Sequence, residues 1–139
     1  MEISRREALG RLAAFVGLAV VARPLALRAE DAKPFQHPDP RPGITGEHVL
    51  THEQVGKRSQ KVYDAYDAAR AYPEIFDGIY CTCDCKNTSL KHRSLLECFE
   101  SMQPTGCMAC QEDGELVGKL AKQGKSLADV RKAIDEEYG

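Results

Sequence analysis

Leu116-Val117-Gly118-Lys119-Leu120-Ala121-Lys122-Gln123-Gly124-Lys125-Ser126-Leu127-Ala128-Asp129-Val130 contains a helix end, a stop and a new start in one run. Leu116, Val117, Leu120 and Ala121 recur at helical spacing and predict a helix from about Cys110 to Gln123, its apolar side turned inward. Gly124 stands where a C-terminal cap is expected. Ser126 with Asp129 three residues on supplies the next N-cap, and Leu127, Val130, Ile134 and Tyr138 form the stripe of a last helix.

The same reading extends upstream. Thr51 and Gln54 have the form of a capping box, and Val55, Ser59, Val62, Tyr66 and Ala69 mark one helix running to about Ala71. Pro73 ends it and permits one further turn. Leu95, Leu96, Phe99 and Met102 predict a helix from about Lys91 to Met102, closed by Pro104 and Gly106. No segment alternates with period two. The expected fold is all-α: a small domain of about four helices over residues 51–139, with a cysteine-rich loop at Cys81 to Ser89.

Two segments precede that domain. Arg5-Arg6 is followed by the apolar run Leu12 to Ala22, then Arg23-Pro24 and small residues ending at Ala29. A bilayer span takes about 20 apolar residues, so this order fits an export signal over residues 1–29, cleaved after Ala29. Its paired arginines resemble a twin-arginine signal, which carries folded proteins to a periplasmic or other extracytoplasmic space. A thiol-rich chain folded before export can acquire a metal before meeting oxidants. Residues 30–50, with Pro34, Pro38, Pro40 and Pro42, read as a flexible lead.

Without residues 1–29, 14 basic and 19 acidic residues remain of the original 19 and 21, a net charge of −5. No basic footprint for nucleic acid is present. Only an uncleaved signal would hold such a chain at a membrane. About 110 residues suit one small domain.

All six cysteines fall within thirty residues: Cys81, Cys83, Cys85, Cys98, Cys107 and Cys110. Soft thiolates at this density suit Cu(I), Zn(II) or an iron–sulfur cluster. Residues i and i+2 of an extended strand stand about 6.6–6.8 Å apart, awkward for a disulfide, but in a turning loop three such sulfurs can converge on metal. Cys107-Met108-Ala109-Cys110 lets two sulfurs reach one ion, with Cys110 at a helix N-terminus that favours its thiolate. Cys98 lies beside an apolar helix face, either as a ligand or as a small hydrophobe. His92 and Met108 are further candidate ligands, while His37, His48 and His52 are read as exposed.

The chain resembles a family of exported bacterial proteins named for a Pro-Cys-Tyr-Cys-Gly-Cys motif. The likeness runs from about Tyr72 to Gly139 and rests on Tyr72-Pro73-Glu74, the cysteine frame at 81, 83 and 85, His92 to Phe99, Cys107-Met108-Ala109-Cys110 and Gly124 to Leu127. Tyr80, Thr82 and Asp84 replace the motif's proline, tyrosine and glycine. The resemblance implies thiol-based metal binding rather than a particular reaction.

Several functions compete. Six thiolates with Met102 and Met108 suit Cu(I) sequestration or delivery, with a metal-donor or acceptor protein as partner. Four thiolates around zinc would leave two cysteines unexplained. A [2Fe–2S] cluster, also on four, is ranked lower because the gap from Cys83 to Cys107 is shorter than in the ferredoxins associated with bacterioferritin that the spacing resembles. Disulfides can instead staple a small exported domain, with fifteen possible pairings, or Cys107 and Cys110 can carry thiol–disulfide chemistry. An enzyme is least supported, because no nucleophile set, carboxylate pair or phosphate loop is evident.

Overall fold

The computed structural model describes residues 34–139. The export signal expected over residues 1–29, and residues 30–33 of the lead, lie outside the described residues. Those described form six α-helices and two short 3-10 turns, with no strand among them: α1 (His52–Val55), α2 (Gln60–Ala71), α3 (Pro73–Asp77), α4 (Leu95–Phe99), α5 (Met108–Lys122) and α6 (Leu127–Tyr138). None of these helices is long and apolar enough to cross a membrane.

The all-α expectation holds, with two helices reshaped. The single helix expected from Thr51 to Ala71 is divided into α1 and α2. Thr51 and Gln54 do form the capping box, but Gly56 takes φ 70°, a left-handed value that glycine adopts without strain and that ends α1 after one turn. Ser59, extended at φ −69° and ψ 158°, then starts α2. The helix expected over residues 91–102 shrinks to α4. Lys91 is left-handed at φ 54°, the Ser94 hydroxyl accepts from the Glu97 amide as an N-cap, and the Ser101 hydroxyl donates to the Cys98 carbonyl at 2.7 Å, closing the far end. The last two helices follow their sequence signals: Gly124 turns the chain at φ 73° and Ser126 with Asp129 forms the second capping box.

The core is aromatic where it supports the cysteines. Phe99 meets Tyr66 and Phe76 edge-to-face, with ring centroids 5.0 and 5.6 Å apart. The Tyr66 hydroxyl donates to the Ser101 carbonyl at 2.7 Å. This fixes α4, and Cys98 with it, against α2. Helix α5 approaches closely because Gly114 has no side chain: a Cβ there would stand 2.6 Å from Phe99 Cζ.

Residues 34–50 differ from the flexible lead expected of them. The Arg41 amide donates to Asp77 Oδ2 at 2.7 Å and its guanidinium reaches Asp77 Oδ1 at 2.9 Å. Arg93 and Ser94 complete the shell of this fully buried carboxylate at 2.7 and 2.8 Å. His37, read as exposed, has a side chain only 7% accessible. Its Nδ1 accepts from the Tyr80 amide at 3.1 Å, so that nitrogen is bare, and Nε2–H is left to donate to Asp135 Oδ1 at 3.2 Å. Arg131 of α6 donates to the Pro38 carbonyl at 2.7 Å. The segment thus joins α6 to the residue preceding Cys81. Sequence periodicity missed it because its bonds are polar and long-range.

Candidate metal centre

The loop between α3 and α4 begins where the Leu95 amide donates to the Ile79 carbonyl at 2.8 Å, bringing its two ends together. Within it Asp84 adopts φ 59° and ψ 29°, left-handed. This is the position of the glycine in the Pro-Cys-Tyr-Cys-Gly-Cys motif, and aspartate is among the few other residues that tolerate the conformation. Its carboxylate accepts from the Tyr80 hydroxyl and from Asn87 Nδ2. The turn folds Cys81, Cys83 and Cys85 toward one another.

Five sulfurs, those of Cys81, Cys83, Cys85, Cys98 and Cys110, lie within 4.8 Å of one another. Cys81 and Cys83 are 3.2 Å apart, Cys81 and Cys110 3.5 Å, and Cys83 and Cys110 3.6 Å. Four sulfurs around one zinc ion at ~2.3 Å would be about 3.8 Å apart, so the donor set is compact enough for thiolate coordination. Cys98 belongs to this group and is at the same time a fully buried member of the hydrophobic core. Cys107 stands at its edge, 2.9 Å from the Cys110 sulfur, and as N-cap of α5 its sulfur accepts from the Cys110 amide at 3.4 Å.

Cys83 and Cys85 are in direct sulfur contact as a disulfide-like pair, which corrects the expectation that alternating cysteines are awkward to join. That expectation assumed an extended chain. The left-handed turn at Asp84 leaves their Cα atoms 5.5 Å apart, inside the usual disulfide range.

The two lesser candidates behave differently. Met108 is 73% exposed and Met102 43%, so neither thioether is enclosed with the sulfurs. His92 is outside the five-sulfur group, although its Nδ1 is buried with no hydrogen-bond partner and its ring lies near enough to favour the Cys81 thiolate.

Protons are unevenly shared. Hydrogen bonds from Cys110 and Cys98 pull the Cys81 thiol well below its usual range, against the upward push of burial. Cys110 is pushed up by its interactions with the Cys81 and Cys98 sulfurs, and burial adds to this. For Cys98 the Cys110 hydrogen bond favours ionisation, but donation to Cys81 and burial outweigh it. The hydrogen bonds among these sulfurs thus favour ionisation at Cys81 and oppose it at Cys110, although Cys110 lies in the first turn of α5.

One supporting residue had no sequence signal. Asp113, fully buried one turn after Cys110, accepts from the Thr82 amide at 2.8 Å and the Thr82 hydroxyl at 3.0 Å. Burial raises its carboxyl to about 7. It ties α5 to the residue between Cys81 and Cys83. Aspartate in a helix ordinarily reads as solvated surface, and only the fold turns this one inward.

Comparison with curated proteins and with solved structures gives no match. A family described as a protein of unknown function with PCYCGC motif matches residues 45–139, beginning well before the motif and taking in α1 and α2. The cysteine frame and the helices that enclose it thus lie together in the matched region, and this chain belongs to the PCYCGC-motif family.

Proposed function

We propose that this chain is an exported, thiolate-based binder of a soft metal ion, with Cu(I) ahead of Zn(II), serving sequestration or delivery. One observation carries the reading: five cysteine sulfurs within 4.8 Å of one another, four of them buried. With Cys83 and Cys85 reduced, such a group offers more sulfur than a single four-coordinate zinc ion or a [2Fe–2S] cluster uses, and a surplus of thiolates favours several Cu(I) ions. The exposed methionines supply no interior ligand, so the copper preference rests on the cysteines.

The Cys83–Cys85 contact favours a second reading, a domain held in part by a disulfide, with Cys81, Cys98, Cys107 and Cys110 free. A Cu(I) competition titration separates the two. Metal binding predicts a colourless complex with more than one Cu(I) per chain, and a reduced capacity in Cys110→Ser, because a serine hydroxyl is a hard donor. Failure to compete for Cu(I), with Cys83 and Cys85 resistant to alkylation, selects the disulfide.

The export route is part of the same reading and rests on Arg5-Arg6 and the apolar run after them. Lysine at both positions is expected to leave an unprocessed precursor in the cytoplasm. Undiminished export of that variant would refute the twin-arginine assignment.

A further inference from the structure

We propose that Cys107 is the exchange ligand of the cluster, through which the metal ion passes to and from a thiolate-bearing acceptor. The inference rests on the metal-binding reading and adds to it the route of transfer.

The sulfurs form a gradient from surface to interior. Cys81, Cys85, Cys98 and Cys110 are buried, and Cys83 and Cys107 are half-buried. The two half-buried sulfurs differ in their surroundings. Cys83 touches Cys85 and stands 3.2 Å from Cys81 and 3.6 Å from Cys110, hemmed in by three others. Cys107 lies outside the five-sulfur group and meets it through Cys110 at 2.9 Å. A ligand held to the cluster on one side is displaced with the least disturbance of the rest.

The surface beside it is open. Gly106 has nothing within 4 Å of the place a Cβ would occupy, and it lines a cleft of about 420 Å³ with Leu90, Met102 and Gln103. Met108, the next residue, exposes 73% of its surface and offers a soft thioether donor outside the cluster. In the exchange an acceptor thiolate bonds to the ion as the metal–Cys107 bond breaks. The proton lost by the acceptor thiol passes to the departing Cys107 thiolate. No electron moves, and copper remains Cu(I).

The test loads the full exported chain with Cu(I) and follows transfer to bathocuproine disulfonate, a bidentate Cu(I) chelator. Cys107→Ser is expected to keep Cu(I) bound at equilibrium yet slow the transfer by roughly tenfold, the scale on which changes around a metal site act. Cys83→Ser is expected to lower capacity instead. An unchanged rate in Cys107→Ser overturns the proposal. A second measurement needs no substitution: limited iodoacetamide treatment of the loaded protein should alkylate Cys107 first. Earlier labelling of Cys83 overturns the proposal even where Cys107→Ser does not load. Failure of the unsubstituted chain to take up Cu(I) rejects the metal reading itself, and this route with it.

Discussion

Asp113 and Thr82 are joined twice, the carboxylate accepting the amide at 2.8 Å and the hydroxyl at 3.0 Å. These bonds hold the backbone between Cys81 and Cys83 to the helix that carries Cys110. Asp113→Ala removes no sulfur but leaves a Thr82 amide without its partner, a loss of about 1–3 kcal/mol. Metal affinity is expected to fall by about 10–100-fold, as with other groups that orient ligands. Thermal unfolding and chelator competition measure the two effects, and unchanged affinity would show that the sulfurs position themselves.

Asp84 tests the turn. Its left-handed φ of 59° suits glycine, and its hydrogen bonds to Tyr80 and Asn87 are exposed. Asp84→Gly should leave stability within about 0.5 kcal/mol of the original, relief of backbone strain offsetting the lost bonds. Asp84→Val should cost about 2 kcal/mol, because a β-branched residue fits this region poorly. Equal stability of the two variants in denaturant titrations would contradict the assigned conformation.

Asp77 anchors the leading segment. Burial opposes its charge, but hydrogen bonds from Arg41 and Ser94 and the charge of Arg93 hold its carboxyl below the usual range. Asp77→Ala strands both arginines and is expected to cost about 3 kcal/mol, the lower end for a broken buried pair because both guanidinium groups are partly exposed. Hydrogen exchange should also rise across residues 34–50. A loss under about 1 kcal/mol would mean that the ion pairs do not hold the segment.

The helices and their caps were legible because their signals are local. Thr51 with Gln54, and Ser126 with Asp129, need residues only three apart. The division at Gly56 and the short α4 were not, since apolar spacing alone carries no record of a backbone turn that leaves the stripe intact. The cysteine set was legible as a concentration of sulfur. Its internal arrangement was not, because Asp84 replaces the residue that would have announced the left-handed turn. Asp77, Asp113 and His37 look like ordinary surface residues, and their roles arise from partners 36, 31 and 43 positions away.

His37 gives the fold a mild acid sensitivity. Burial lowers its pKa from the ordinary 6.5, against the pull of Asp135 and with help from Arg131. The folded protein keeps the ring neutral while the unfolded chain takes up a proton below that value. The stability it contributes is therefore whole above 6.5 and lost as pH falls below it. His37→Gln does not titrate, so its stability should vary less between pH 7 and 5. An identical slope in both proteins would place the sensitivity elsewhere.

The most direct test of the central claim is native mass spectrometry of the exported protein, with metal analysis and a thiol count on the same sample. Metal binding predicts a colourless protein carrying more than one Cu(I), whose six cysteines all react after a Cu(I) chelator is added. A metal-free protein with its cysteines in disulfides, or a brown one containing iron, would contradict it.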